Sequence, residues 1–231
     1  DEYVGDGVVI VKDSQGLVDA LKRNESHLVI ELLGTQTKAV TPVEYVVPIT
    51  SWKTNAFGGD KTRSITINAN GNTINFNLKD SDWSHVSLNN DDAVLTINDA
   101  NITTSGYNTD HWKRVILHFA SDVVLNNVTA ANGLGFKKDA VLNDVEVSQV
   151  GDNYALWVWA QGQTVTLDGV SVDSEGRALK VADEDADGPA KVTINVENST
   201  FKSAEKAAIL VTSTAGATIN WGAGNDIKGV A

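Results

Sequence analysis

The stretch "VADEDADGPA", residues 181–190, sets Asp183, Asp185 and Asp187 two apart and follows them with Gly188. Alternate carboxylates ahead of a glycine are how an EF-type calcium loop opens, and such a loop closes with a bidentate acid at its twelfth position. Here the twelfth position is Ile194, and Glu197 comes too late. The motif is half complete. Asp183, Asp185 and Asp187 are candidate calcium ligands, and the competing reading is a solvated acidic turn. No other cofactor is expected.

Three further groups carry chemistry. "DHWKR" places His111 and Trp112 beside Lys113 and Arg114, a set suited to an anionic sugar or simply to a polar loop before the next strand. "ALWVWA" places Trp157 and Trp159 two apart, so in a strand both indoles share a face. With Leu156 and Val158 in the core, the pair forms an outward aromatic shelf for sugar rings or a protein partner. Cover by a loop such as "HWKRVILHFA" or "SWKTNAFGGDKTR", or an inverted register, would bury it instead. Lys180 stands between Leu179 and Val181, points outward if they point inward, and is the one candidate base. Carboxylates for a glycosidase pair are plentiful, among them Asp152, Asp173 and Glu175. The four histidines, His27, His85, His111 and His118, show no zinc-like spacing.

The elements that must position these groups repeat. Ile67–Asn68, Ile97–Asn98, Leu125–Asn126, Leu142–Asn143, Leu167–Asp168, Ile194–Asn195 and Ile219–Asn220 each end a short apolar alternation, at spacings of 30, 28, 17, 25, 27 and 25 residues. Alternation signals strands, and an irregular period near 25 signals a solenoid with loops of unequal length. Asn and Asp suit the tight turn after each strand. Strands stacked about 4.8 Å apart would let the amides bond from one repeat to the next. The 17-residue step is the weak point. A second strand precedes several of the repeats ("RVILHFA", "ALWVWA", "RALKVA", "AAILVTS"), and a third, short one often follows.

Three strands per repeat over residues 28–229 resembles the right-handed parallel β-helix of the pectin-lyase-like superfamily. The expected fold is therefore all-β: a single right-handed parallel β-helix of about seven to nine coils. Residues 1–27 would form an N-terminal segment with a short capping helix, and 28–231 one continuous β-helix. "DSQGLVDALKRN" supplies the helix, with Ser14 as N-cap and Leu17, Val18 and Leu21 on one face. "HLVIELLG" would be the first strand. "GNDIKGVA" offers no cap at the other end, so the chain is expected to be a monomer or part of a longer chain.

The catalytic motifs of that superfamily are not matched. No proline lies between arginines. Asn108, Thr109 and Asp110 resemble one polygalacturonase motif, but Asp91 and Asp92 precede it and no Gly-His-Gly follows. The resemblance then implies a secreted or cell-surface bacterial protein, adhesin-like, binding a glycan or a host or neighbouring surface protein. The alternative is a polysaccharide lyase or glycoside hydrolase with Lys180 as base. A net charge of −12 argues against nucleic acid, no apolar run would insert in a membrane, and the absence of cysteine excludes thiol chemistry. A binding site is expected near Trp157, Trp159, Lys180 and the 183–187 turn, on a face whose acids favour neutral or amino-bearing glycans.

Overall fold

Alternating apolar residues bury one face of a strand and leave the other to water, and that pattern recurs along the computed structural model, which describes residues 2–5, 7–34, 42–49, 54–78, 85–107, 116–182 and 188–230. Within them the chain is predominantly β, with long, stacked parallel sheets. The larger sheet runs from Glu2–Gly5 through Val8–Val11, His27–Leu32, Ser64–Asn68, Val94–Ser105, Asp122–Ala131, Ala140–Gln149, Thr164–Asp168 and Val192–Glu197 to Ala217–Trp221. The smaller holds Thr54–Phe57, His85–Leu88, Leu117–Phe119, Leu134–Phe136, Tyr154–Trp159, Arg177–Ala182 and Ile209–Val211, stacked in chain order. Each strand pairs in parallel with its counterpart one repeat away, except the antiparallel Glu2–Gly5. This arrangement is compatible with a β-helix-like solenoid. One core, including Leu28, Ile30, Ile65, Ile97, Leu125, Leu142, Leu167 and Ile194, joins the levels.

The asparagine line forms over most of its length. Asn68, Asn98, Asn126, Asn143 and Asp168 fall in register. Asn98, Asn126 and Asn143 each donate to the preceding amide oxygen at 2.9 Å. Asn68 starts the line by donating to Glu31 Oε1 at 2.6 Å. The residue after the amide turns the chain: Asp99, Asn127 and Asp144 adopt φ of 55°, 53° and 53°, a left-handed bend that Asn and Asp tolerate. The 17-residue step from Asn126 to Asn143 holds its register.

Two expectations need correction. Asn195 and Asn220 lie off the line: Asp168 pairs with Glu197, and Asn195 pairs with Thr166, a slip of two residues. A shift of two keeps every side chain on its own face, so the core is undisturbed. A second, short ladder then starts, with Asn220 donating to Asn195 at 2.8 Å. The parallel stack also begins before "HLVIELLG", at Val8–Val11, so helix α1, Ser14–Ala20, connects two stacked strands. Its N-cap is Asp13, whose side chain accepts from Gly16 N at 2.8 Å. Ser14 Oγ instead accepts from Val46 N. Leu17, Ala20 and Leu21 are buried in the common core, and Val18 is half-buried. No described helix is long and apolar enough to cross a membrane.

Candidate functional site

The smaller sheet brings the sequence's tryptophans and Lys180 together. Alternation along Tyr154–Trp159 sends Leu156 and Val158 into the main core and Trp157 and Trp159 to the opposite face. Parallel register then lines up His85, His118, Gly135, Trp157 and Lys180, one from each successive strand. The two indoles stack with centroids 4.8 Å apart and planes 1° apart. The outward direction holds, but the expected exposure does not: Trp157 is 0% and Trp159 1% exposed. Ile116, from the "HWKRVILHFA" segment, packs on them with Ala182 and the half-buried Tyr154. Flat aromatics of this size leave water readily once an apolar partner reaches them.

Polar groups are threaded through this second cluster. Trp159 Nε1 donates to His118 Nδ1 at 3.1 Å, so His118 presents an unprotonated Nδ1. Burial holds the His118 imidazole well below its ordinary pKa, and the charges of His85 and Lys137 push the same way. The ring has room because Gly135 faces it: a Cβ there would lie 2.1 Å from His118 Nδ1. Lys137 Nζ sits 4.0 Å over the Trp159 ring. Lys180 does point outward, but it is 6% exposed. Its Nζ lies 2.5 Å from Tyr154 Oη and 4.2 Å from that ring's centroid. Cation–π contact and a hydroxyl acceptor together offset much of the cost of burying the ammonium.

His111, Trp112 and Arg114, the 108–110 motif, and Asp183, Asp185 and Asp187 all lie outside the described residues. Among those described, no group of three or more His, Cys, Asp or Glu side chains is placed to hold a metal.

A different face is open and polar. After each left-handed bend the larger sheet continues outward-facing positions in register: Asn101 with Thr129, then Glu146 with Ser171, and Ser148 with Asp173. Thr129, Glu146, Ser148, Ser171 and Asp173 are exposed. Small side chains at Ala131, Ser148 and Ser171 leave a shallow depression of about 380 Å³ between the larger polar ones. Thr129 Oγ1 donates to Asn101 Oδ1 at 2.6 Å, which fixes one rim. Glu146 and Asp173 stand on adjacent strands, diagonal to one another, a separation of about 7–8 Å at the backbone. Sequence reading named Asp173 only as one acid among several and missed the strip, because its residues look like any solvated β-face until the register sets them side by side. Two missed members of the aromatic cluster, His118 and Gly135, were findable: once the repeat is aligned, "RVILHFA", "LGF" and "YALWVW" place them in one row with Trp157. No family model, curated protein or solved structure matches the chain.

Proposed function

We propose that the chain is a right-handed parallel β-helix of the pectin-lyase-like kind and serves as a secreted or cell-surface binding module with glycan as its ligand. The observation that carries this is the open polar depression at Asn101, Thr129, Glu146, Ser148 and Asp173, built from successive repeats. Amides, hydroxyls and carboxylates at fixed spacing are what sugar hydroxyls need, and successive repeats present them along the direction in which a chain would run. Two carboxylates in the strip, on a chain of net charge −12, favour neutral or amino-bearing sugars over uronates. The aromatic cluster, being buried, braces the smaller sheet and offers no stacking shelf.

The enzyme alternative rests on Lys180. That side chain is engaged with Tyr154 and nearly sealed from solvent, which is a poor setting for abstracting a proton from a polymer. The discriminating experiment is incubation with uronic-acid polysaccharides, followed by the ultraviolet absorbance of unsaturated product. The binding reading expects no turnover. Turnover that disappears in Lys180→Ala would replace it with a lyase.

A further inference from the structure

The polar strip beyond the left-handed bend carries its charges in a fixed order. Two outward rows cross the strands. One passes from Thr129 through Glu146 to Ser171, the other from Ala131 through Ser148 and Asp173 to Lys202. The levels before Glu146 are uncharged in its row, with Thr73, Asn101 and Thr129 in register. Two acids on neighbouring strands come next, diagonal to one another, and a cation follows directly opposite the second acid. Glu146, Asp173 and Lys202 are all exposed. The small side chains of Ser148 and Ser171 fill the other two corners between the acids, so the floor of the depression stays low there. Asp173 and Lys202 stand one strand spacing apart, about 4.8 Å, yet among the described residues no ion pair joins them. The next cation in that row, Lys228, is held at 3.1 Å by Asp226. Lys202 therefore carries its ammonium on a flexible stem at the edge of the depression, one level beyond the acids.

We propose, resting on the reading of this strip as a glycan site, that its ligand is zwitterionic: an amino sugar whose ammonium sits between Glu146 and Asp173, followed by a sugar whose carboxylate meets Lys202. An ammonium has three donors and no acceptor, so two carboxylates from different strands can share it. A carboxylate only accepts, and Lys202 is the cation that follows the acids in these rows. Both contacts are charge-assisted, the stronger class of hydrogen bond. The opposite order is refused. A ligand carboxylate at Glu146 and Asp173 meets two like charges, and a ligand ammonium at Lys202 meets a third. The strip thus reads the order of charges along the glycan as well as their sign. One strand spacing separates successive levels, close to the advance of one sugar unit along an extended chain, so adjacent sugars fall on adjacent levels. A glycan with a carboxylate on every unit is repelled by the two acids. A glycan with an amine on every unit satisfies the acids but sets one ammonium against Lys202.

Calorimetric titration of the wild type and Lys202→Gln tests this at mildly acid pH, where sugar amines carry their protons. Two oligomers of equal length serve as probes: chitosan, and de-N-acetylated hyaluronan, in which glucosamine alternates with glucuronate. The alternating oligomer has no net charge, so the chain's −12 does not draw it in from a distance, and any loss in the variant reports Lys202 locally. Lys202→Gln is expected to weaken the alternating oligomer by about threefold to fivefold, the scale of one exposed charge pair. The same change is expected to leave chitosan binding equal or tighter, because it removes a repelling cation. Lys202 is exposed, so the thermal midpoint should not move. A variant that binds the alternating oligomer undiminished overturns the proposal, and so does one that weakens both oligomers equally. A wild type that binds chitosan but not the alternating oligomer overturns the zwitterionic ligand and leaves the glycan site standing. A wild type that binds neither overturns the glycan site itself.

Discussion

His118 is wholly buried, accepts a hydrogen bond from Trp159, and is held neutral in the folded chain. Its folded pKa is depressed, whereas the unfolded chain titrates near about 6.5. Below that pH the unfolded state binds a proton that the folded state refuses, so stability falls as pH drops through about 6.5, by up to about 1.4 kcal/mol per pH unit. Thermal midpoints from neutral pH down to mildly acid pH should fall more steeply for the wild type than for His118→Gln, whose side-chain oxygen can still accept from Trp159. Parallel slopes would mean that His118 titrates normally. The stacked indoles make a second residue-scale case. Because Trp159 is 1% exposed, Trp159→Ala should cost about 3–5 kcal/mol of stability, measured by denaturant unfolding. A variant as stable as the wild type would return Trp159 to the surface.

At the scale of the element, the ladder of amides does for the larger sheet what packing does inside. Asn126 donates to Asn98 and accepts from Asn143, both at 2.9 Å and both half-buried. Asn126→Ala removes two bonds of about 0.5–1.5 kcal/mol each, so it should destabilise by about 1–3 kcal/mol. Asn195→Ala, at the slip, loses only the bond from Asn220 and should cost less. Equal costs would show that the line has no cumulative role. The recurrence of Ile-Asn and Leu-Asn pairs was enough to read strand and register from Asn68 to Asp168 and the ladder from Asn68 to Asn143, because one local demand, a left-handed bend shortly after a buried apolar residue, recurs. The slip at Asp168 was not legible. "VTLDG" and "VTINVEN" differ in where the bend falls, with Gly169 and Asn198 taking positive φ, and the matching "TLD" and "TIN" letters conceal the two extra residues. That Trp157 and Trp159 share a face followed from alternation, and their outward direction only with Leu156 and Val158 taken as core. Their burial did not, since it depends on Ile116 and on partners from other repeats that spacing does not reveal.

For the molecule as a whole, the long parallel sheets present outward faces, and these carry different chemistry. The smaller sheet's outward face is closed by its aromatic, histidine and lysine cluster. The larger sheet's face beyond the bend stays open and polar, with Lys202 beside Asp173, and it is there that we propose a ligand binds. Glu146 and Asp173 are exposed, so Glu146→Gln with Asp173→Asn should leave the thermal midpoint nearly unchanged. The most direct test is calorimetric titration of the wild type and this double variant with a chitosan oligomer, a neutral gluco-oligomer and an oligogalacturonate. The account predicts heat with the first two and none with the third, and a loss of at least about tenfold in chitosan affinity in the variant. Undiminished binding by the variant, or preference for the oligogalacturonate, would contradict it.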